Sequence, residues 1–522
     1  MLRIAKKALS IDTYDAQSNY YYALAAKKKG NTADALDGYE VAALTSEYRS
    51  AAYTEMAKLY FKQKDYAHAL EYAAKSLINN QYNIDAWQLQ FLINRLQNKN
   101  NKAVEKNITV LEPLNHFLLF EKYMEHRSEN YKKAFVNSIT NEFPFQTFLE
   151  LALWYYHLER VSEAKEVLLL APVHAEKFYW LAYFNRDNQS GTAYLEKAEA
   201  SEPGFVFPFR EEANDMLAWV IKNSHDWKPA YYASLLHLSK NNKDKAASLL
   251  NTIEQQPSFA PFYSVRAALN TDSAVVENDL QLAVKYDEDS WRYTNALTRF
   301  YLSKHNYQSA LSVIEPFYKK HKENYISGML YVRTLLRNDQ YAAANNVLSS
   351  LKILPFEGAL EGRRLYEETK LQLALKSLQQ KKYTQAINYI REARCWPRSM
   401  GVGKPYDNMI DVRAEDFMQG LTLHESGKKQ AAAQFFEKVA TATIALHGDN
   451  SLLQVLALYY RGEEKKAETL FEKWKNLQKK DTLIRSAEDF VIKNKDLSRG
   501  INYAALNGFF KLISVTEDER LF

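Results

Sequence analysis

Short apolar stripes recur along this chain at helical spacing. A small residue is followed four positions on by a large one and three further on by another small one in "GNTADALDGYEVA", and "KDYAHALEYAAKS" and "NKNNKAVEKNITV" repeat its short turn and small marker in looser form. Side chains at i, i+4 and i+7 share one face of an α-helix, so each stretch predicts an amphipathic helix entered from a short turn. The small markers are Ala35, Ala69 and Ala103, at intervals of 34 residues. Sixteen residues before them stand Asn19, Tyr53 and Trp87, the last two being aromatics that a preceding first helix is expected to bury as anchors. Ala8 aligns with Ala42 one period on, so the chain is expected to start inside a second helix and to be a fragment, with Ile4 and Leu9 left uncovered.

The pattern returns in "HNYQSALSVIEPF" at Ala310, "DQYAAANNVLSSL" at Ala344, "KKYTQAINYIREA" at Ala386, "GKKQAAAQFFEKV" at Ala432 and "GEEKKAETLFEKW" at Ala467, which makes eight clear units. Tyr307, Tyr341 and Tyr383 are expected to open second helices, and Gly427 and Gly462 to supply the turns before them. These units resemble the tetratricopeptide repeat, a 34-residue helix–turn–helix whose small residues let two helices approach. The expected fold is all-α, a superhelical solenoid of such repeats.

Between residues 116 and 290 the spacing blurs, although the stretches around Ala164, Ala198 and Ala246 still read as second helices. The expected organisation is an N-terminal array over 1–115, degenerate helical repeats over 116–290, a C-terminal array over 291–480 and a helical cap over 481–522. "SEPGFVFPF" at 201–209 is either a bend between arrays or a long loop packed on the core by Phe205 and Phe207.

Charge narrows the function. With 68 basic and 63 acidic side chains the balance is too even for a nucleic-acid footprint, and Lys27-Lys28-Lys29 and Lys479-Lys480 read as solvated helix ends. No apolar run reaches the roughly 18 residues of a membrane span. The start "MLRIAKKALSID" has the wrong order for a signal peptide, which points to the cytoplasm. Only 15 glycines and 12 prolines leave little material for hairpins.

Catalytic chemistry is sought first in "RCWPRSMGVGKPYDNMID" at 394–411, which lengthens the Ala386 to Ala432 interval to 46. A phosphate-binding loop requires an earlier glycine and a hydroxyl after Gly-Lys; here the first glycine is missing and Pro405 follows Lys404. The stretch therefore reads as an insertion at an inter-repeat turn. The single cysteine, Cys395, excludes an internal disulfide or a multi-thiolate metal site and is expected to be a small buried residue beside Trp396. His424 beside Glu425 reads as a half-buried contact near a turn, and the adjacent acids Glu367 and Glu368 are expected to point apart on a helix. No catalytic, cofactor or metal residue is expected, and the protein is read as not an enzyme.

Residues 386–475, with "WPRSMGVGKPYDN" and "DFMQGLTLHESGKKQAAAQFFEKVA", are similar to the repeat half of large bacterial proteins common in Bacteroidetes. Those proteins carry a β-rich domain of unknown function, related in fold to galactose mutarotases, ahead of a tetratricopeptide array. The resemblance implies an accessory role in carbohydrate use and contacts with a domain missing from this chain. The leading reading is a scaffold binding a protein or peptide on the concave face. Asn295, Arg299 and Arg333 are the candidate partner-binding residues: the arginines fall eleven residues before Ala310 and Ala344, so they form a row whose planar donor forks suit an acidic segment. The alternative is that each pairs with an acid of its own array.

Overall fold

In the computed structural model, residues 1–356, 359–443, 450–477, 481–494 and 502–513 are described. They form thirty α-helices and two short 3-10 turns, and no strand occurs among them. Lys479 and Lys480 lie outside the described residues. The chain divides into two compact units, Met1–Gln255 and Gln256–Phe522.

Each unit is a stack of tetratricopeptide-type helix pairs, an α-solenoid in which second helices such as Thr32–Ala42 and Tyr307–Lys320 also pack on the first helix of the next pair. The Met1–Gln255 unit opens on Leu2–Leu9, continues through pairs such as Ala16–Lys28 with Thr32–Ala42, and ends with Lys228–Ser239 and Lys243–Asn251. Ala213–Asn223 stands outside the pairing, packed on Ala175–Phe184 and Lys228–Ser239. The other unit runs from Ala260–Leu269 with Ser273–Tyr286 to Asp481–Asn494 and Tyr503–Ile513.

Local chemistry explains where helices begin. The side chains of Asp15, Asn31, Asp65 and Asn83 each accept a hydrogen bond from the backbone N–H three residues on, satisfying a donor the helix leaves open. Between first and second helices the backbone passes through the left-handed region. Gly30, Gly427 and Gly462 do so without strain, but Lys64, Asn98, Glu159, Asn241, His305, Asp339 and Lys381 occupy the equivalent place with positive φ. The glycine-poor composition is accommodated by strained turns rather than by a different fold.

The markers Ala35, Ala69, Ala310, Ala344, Ala386 and Ala467 are fully buried, each with the residues at i+4 and i+7 beside it in the core or at its edge. Ala103 is not part of this set. It is exposed, and Val104 and Ile108 carry the buried stripe of Lys102–Leu111, so the register moves by one residue there. Tyr53 and Trp87 are half-buried; the anchors that disappear from solvent are the neighbouring Ala52 and Ala86. Tight helix approach selects the smaller side chain, and Tyr53 lies across the seam against Tyr72.

Residues 201–209 correct the expectation of a core-packed loop. Phe205 and Phe207 are exposed, while Val206 and Pro208 turn inward. Cys395 is exposed as well, because it follows the last turn of Tyr383–Ala393 and points away from the pair; Met400 is the loop side chain that enters the core.

Candidate functional site

The first helices of the Gln256–Phe522 unit carry an unusual load of buried charge. Arg333, Arg337, Arg363 and Arg413 are each 5% exposed or less. Each reaches the following repeat. Arg333 pairs with Glu361 at the start of the next first helix, and Arg337 donates to Glu368 at 3.2 Å. Arg363 stands 3.9 Å from Glu415, and Arg413 donates to Ser451 and Gln454 at 3.3 and 3.4 Å. Buried guanidinium groups need this number of partners, since removal from water is offset only when charge and N–H donors are both matched.

Arg363 organises the inserted loop. It donates to Glu367 at 2.9 Å and to the Ala393 carbonyl at 2.7 Å, and its guanidinium lies over the Trp396 ring at 4.7 Å. Farther on, the Ile353 N–H donates to the Ser399 carbonyl at 2.9 Å. A Cβ on Gly362 would stand 2.2 Å from Ile353 Cδ1 and 3.1 Å from the Met400 carbonyl oxygen, so Ile353 and the loop both sit on bare helix backbone. Burial pushes the Glu367 carboxyl up to about 8, assisted by the neighbouring Glu415, whose own pKa burial also raises. Glu368 turns the other way, toward Arg337. Lys404 pairs with Asp407 at 2.6 Å, and the loop tip shows Tyr406 and Met409 to solvent. His424 is half-buried, with Glu425 at 3.5 Å and the Tyr460 ring edge-on.

Asn295 is buried on Trp291–Ser303, where its Oδ1 accepts from the Ser327 hydroxyl at 3.0 Å. Arg299 stands half-buried one turn on, and Arg333 lies on Tyr325–Arg337, the neighbouring first helix. The three positions are thus brought onto adjacent elements. Arg337, Arg363, Glu415 and Arg413 are the members that sequence reading missed, and of Glu367 it gives only a helix acid pointing away from Glu368. Their offsets from Ala344, Ala386 and Ala432 do not repeat, because Glu361–Gln379 is lengthened to 19 residues and the inserted loop resets the count.

The last described helix folds back over these first helices. Tyr503–Ile513 buries Leu506, Phe509 and Phe510, spaced i, i+3 and i+4, and Phe509 stacks on Phe490 with centroids 4.5 Å apart. Its polar side engages earlier repeats: Asn507 Oδ1 accepts from the Tyr341 hydroxyl at 3.0 Å, its carbonyl accepts from Gln372 at 3.5 Å, and Lys511 pairs with Asp339 at 2.7 Å. A helix serving only as an end cap would stop at its immediate neighbour. This one reaches Tyr341, at the start of a second helix, and Gln372, on a first helix, both more than 130 residues away in sequence.

Among the described residues no helix is long and apolar enough to cross a membrane, and no His, Cys, Asp and Glu group is arranged to hold a metal ion. No protein-family model matches the chain, and no curated protein matches it. Among solved structures it aligns with Naa15/Naa10 bound to HypK-THB, at 14% identity over 99% of this chain and 92% of that chain with a TM-score of 0.30. It aligns with yeast Tom70 at 14% identity over 93% and 96% with a TM-score of 0.29. A tetratricopeptide repeat protein from Parabacteroides merdae aligns at 14% identity over 53% of this chain and 98% of that one, TM-score 0.24.

Proposed function

We propose that this array is a non-catalytic scaffold that holds a helical segment of a partner protein on the first-helix face of its Gln256–Phe522 unit. Half-buried Arg299 extends that face and supplies a polar contact for acidic residues of the bound segment, while Asn295 and Arg333, buried and held by Ser327 and Glu361, fix the helices that carry it. The observation that carries the reading is the seated helix Tyr503–Ile513: three apolar anchors on one side and Asn507 and Lys511 on the other describe what this surface accepts. Cytoplasmic location belongs to the same proposal.

The test uses a labelled peptide of residues 502–513 added to the full chain. The resident helix competes with it, so the peptide is expected to bind the Phe509→Ala variant more tightly than the parent, and Arg299→Ala is expected to weaken a version lengthened by three glutamates. Absence of binding to a Phe509→Ala chain that keeps its helical circular dichroism would reduce the helix to a cap.

A second reading rests on the exposed Tyr406 and Met409 of the inserted loop, which offer an apolar contact to a further domain. The likeness of 386–475 to proteins with a sugar-related β-rich domain supports an accessory role of that kind. Neighbouring genes for glycosidases or sugar transporters would favour it.

A further inference from the structure

Three turns of the Met1–Gln255 unit bring apolar side chains to one cavity of about 820 Å³. Phe143 comes from the turn before Pro144–His157, Val173 from the turn before Ala175–Phe184, and Phe205, Phe207 and Phe209 from the extended stretch ahead of Ala213–Asn223. Along that stretch alternate side chains face opposite sides. Val206 and Pro208 are buried, while Phe205, Phe207 and Phe209 are 84%, 61% and 55% exposed.

Folding does not account for this arrangement. Large apolar side chains left in water forgo the gain of burial. Phe205 adds backbone strain, with φ +57 in a region that bulky L-residues rarely adopt, although Gly204 stands next to it. Contiguous apolar surface of this kind marks a contact site. The exposed rings of Phe143, Phe205, Phe207 and Phe209 line this one open space. The rear wall is firm: buried Phe145 stacks on His174 with centroids 4.3 Å apart and ring planes within 18°.

Charge selects the occupant. Glu142 is the one carboxylate among the described residues that line the cavity, and exposed Glu202 precedes the phenylalanine stretch. His174 brings no opposing charge, because burial holds its pKa below the ordinary histidine value. Arg210 is outside the lining and stands 3.7 Å from Glu150; its guanidinium lies over the Phe209 ring at 5.1 Å, so one of these rings already receives a cation on its face. An anionic lipid surface would be repelled by Glu142 and Glu202, and a wholly apolar ligand would gain nothing from them.

We propose that this cavity binds a lysine or arginine side chain of a partner protein carried between aliphatic neighbours, with the aliphatic groups between the phenylalanine rings and the cation against ring faces and Glu142. The site belongs to a different unit from the helix-binding face above and stands or falls independently of it.

The probe is a fluorescein-labelled acetyl-Leu-Lys-Leu-Leu peptide, measured by polarisation on the full chain against the same peptide with norleucine or glutamate in place of lysine. The lysine peptide is expected to bind best. Replacing Phe207 and Phe209 together by alanine, both being exposed, is expected to weaken it by about tenfold or more without changing the circular dichroism. Glu142→Gln is expected to weaken the lysine peptide several-fold and to leave the norleucine peptide unchanged. Lack of saturable binding by the parent chain would overturn the proposal, as would equal affinity for the lysine and norleucine peptides or an unaltered affinity in the double variant.

Discussion

Glu367 and Glu415, on neighbouring first helices, both face the Arg363 guanidinium, at 2.9 and 3.9 Å. One guanidinium does not neutralise two acids taken out of water, and their mutual repulsion favours a proton on one of them. Burial is the largest cause, and it raises Glu367 from an ordinary 4.5 to about 8. A raised acid contributes stability that is fully present below the unfolded value and lost as pH rises through the folded one. The Gln256–Phe522 unit is therefore expected to lose on the order of a few kcal/mol between pH 5 and pH 9. Glu367→Gln should flatten that dependence. Thermal unfolding followed by circular dichroism across the range checks it, and a slope of equal size in the variant would place the titrating group elsewhere.

Arg363 holds both of those acids, the Ala393 carbonyl and the face of Trp396. Arg363→Ala strands buried groups that remain polar, so a loss of about 3–5 kcal/mol is expected in urea unfolding. Lysine has no planar fork and should restore little of it. Rescue of most of the lost stability by Arg363→Lys would mean that charge alone, and not the forked geometry, fixes the loop.

Lys381 is exposed at φ +56 in the turn between Glu361–Gln379 and Tyr383–Ala393. Glycine adopts this conformation freely, at the expense of extra freedom in the unfolded chain. Lys381→Gly is expected to raise stability by about 0.5–1 kcal/mol. Lys64→Gly, in the equivalent turn of the other unit, should behave alike, and a lowered unfolding midpoint in both would show that the side chains stabilise these turns by contacts of their own.

Lys404 belongs to a short surface pair with Asp407. Its replacement by alanine is expected to leave the unfolding midpoint unchanged and no nucleotide signal to lose. Calorimetric binding of ATP or GTP by the parent chain at micromolar concentration, abolished in Lys404→Ala, is the result that would make the inserted loop a phosphate site.

The helix pairs were legible without coordinates because their signal is local. A small residue followed by others at i+4 and i+7 on the same face already states which face a helix buries, and Ala35, Ala69, Ala310 and Ala344 carry that statement, the first two and the last two each 34 residues apart. Turn positions such as Gly427 and Gly462 were legible for the same reason, since positive φ is a preference of single residues. Where the local signal was ambiguous the packing decided. Ala103 and Val104 both fit the stripe, and only contact with the neighbouring helix buried Val104. The partners of Arg363 and Arg413 depended on how successive repeats stack, which brings together residues such as Arg413 and Gln454 from different pairs. The return of Tyr503–Ile513 onto Tyr341 and Gln372 is a relation between distant parts of the chain that no periodic pattern encodes. Phe205 and Phe207 show the limit most plainly: hydrophobicity alone sends them inward, but an extended stretch has two sides, and Val206 and Pro208 took the one that faces the core.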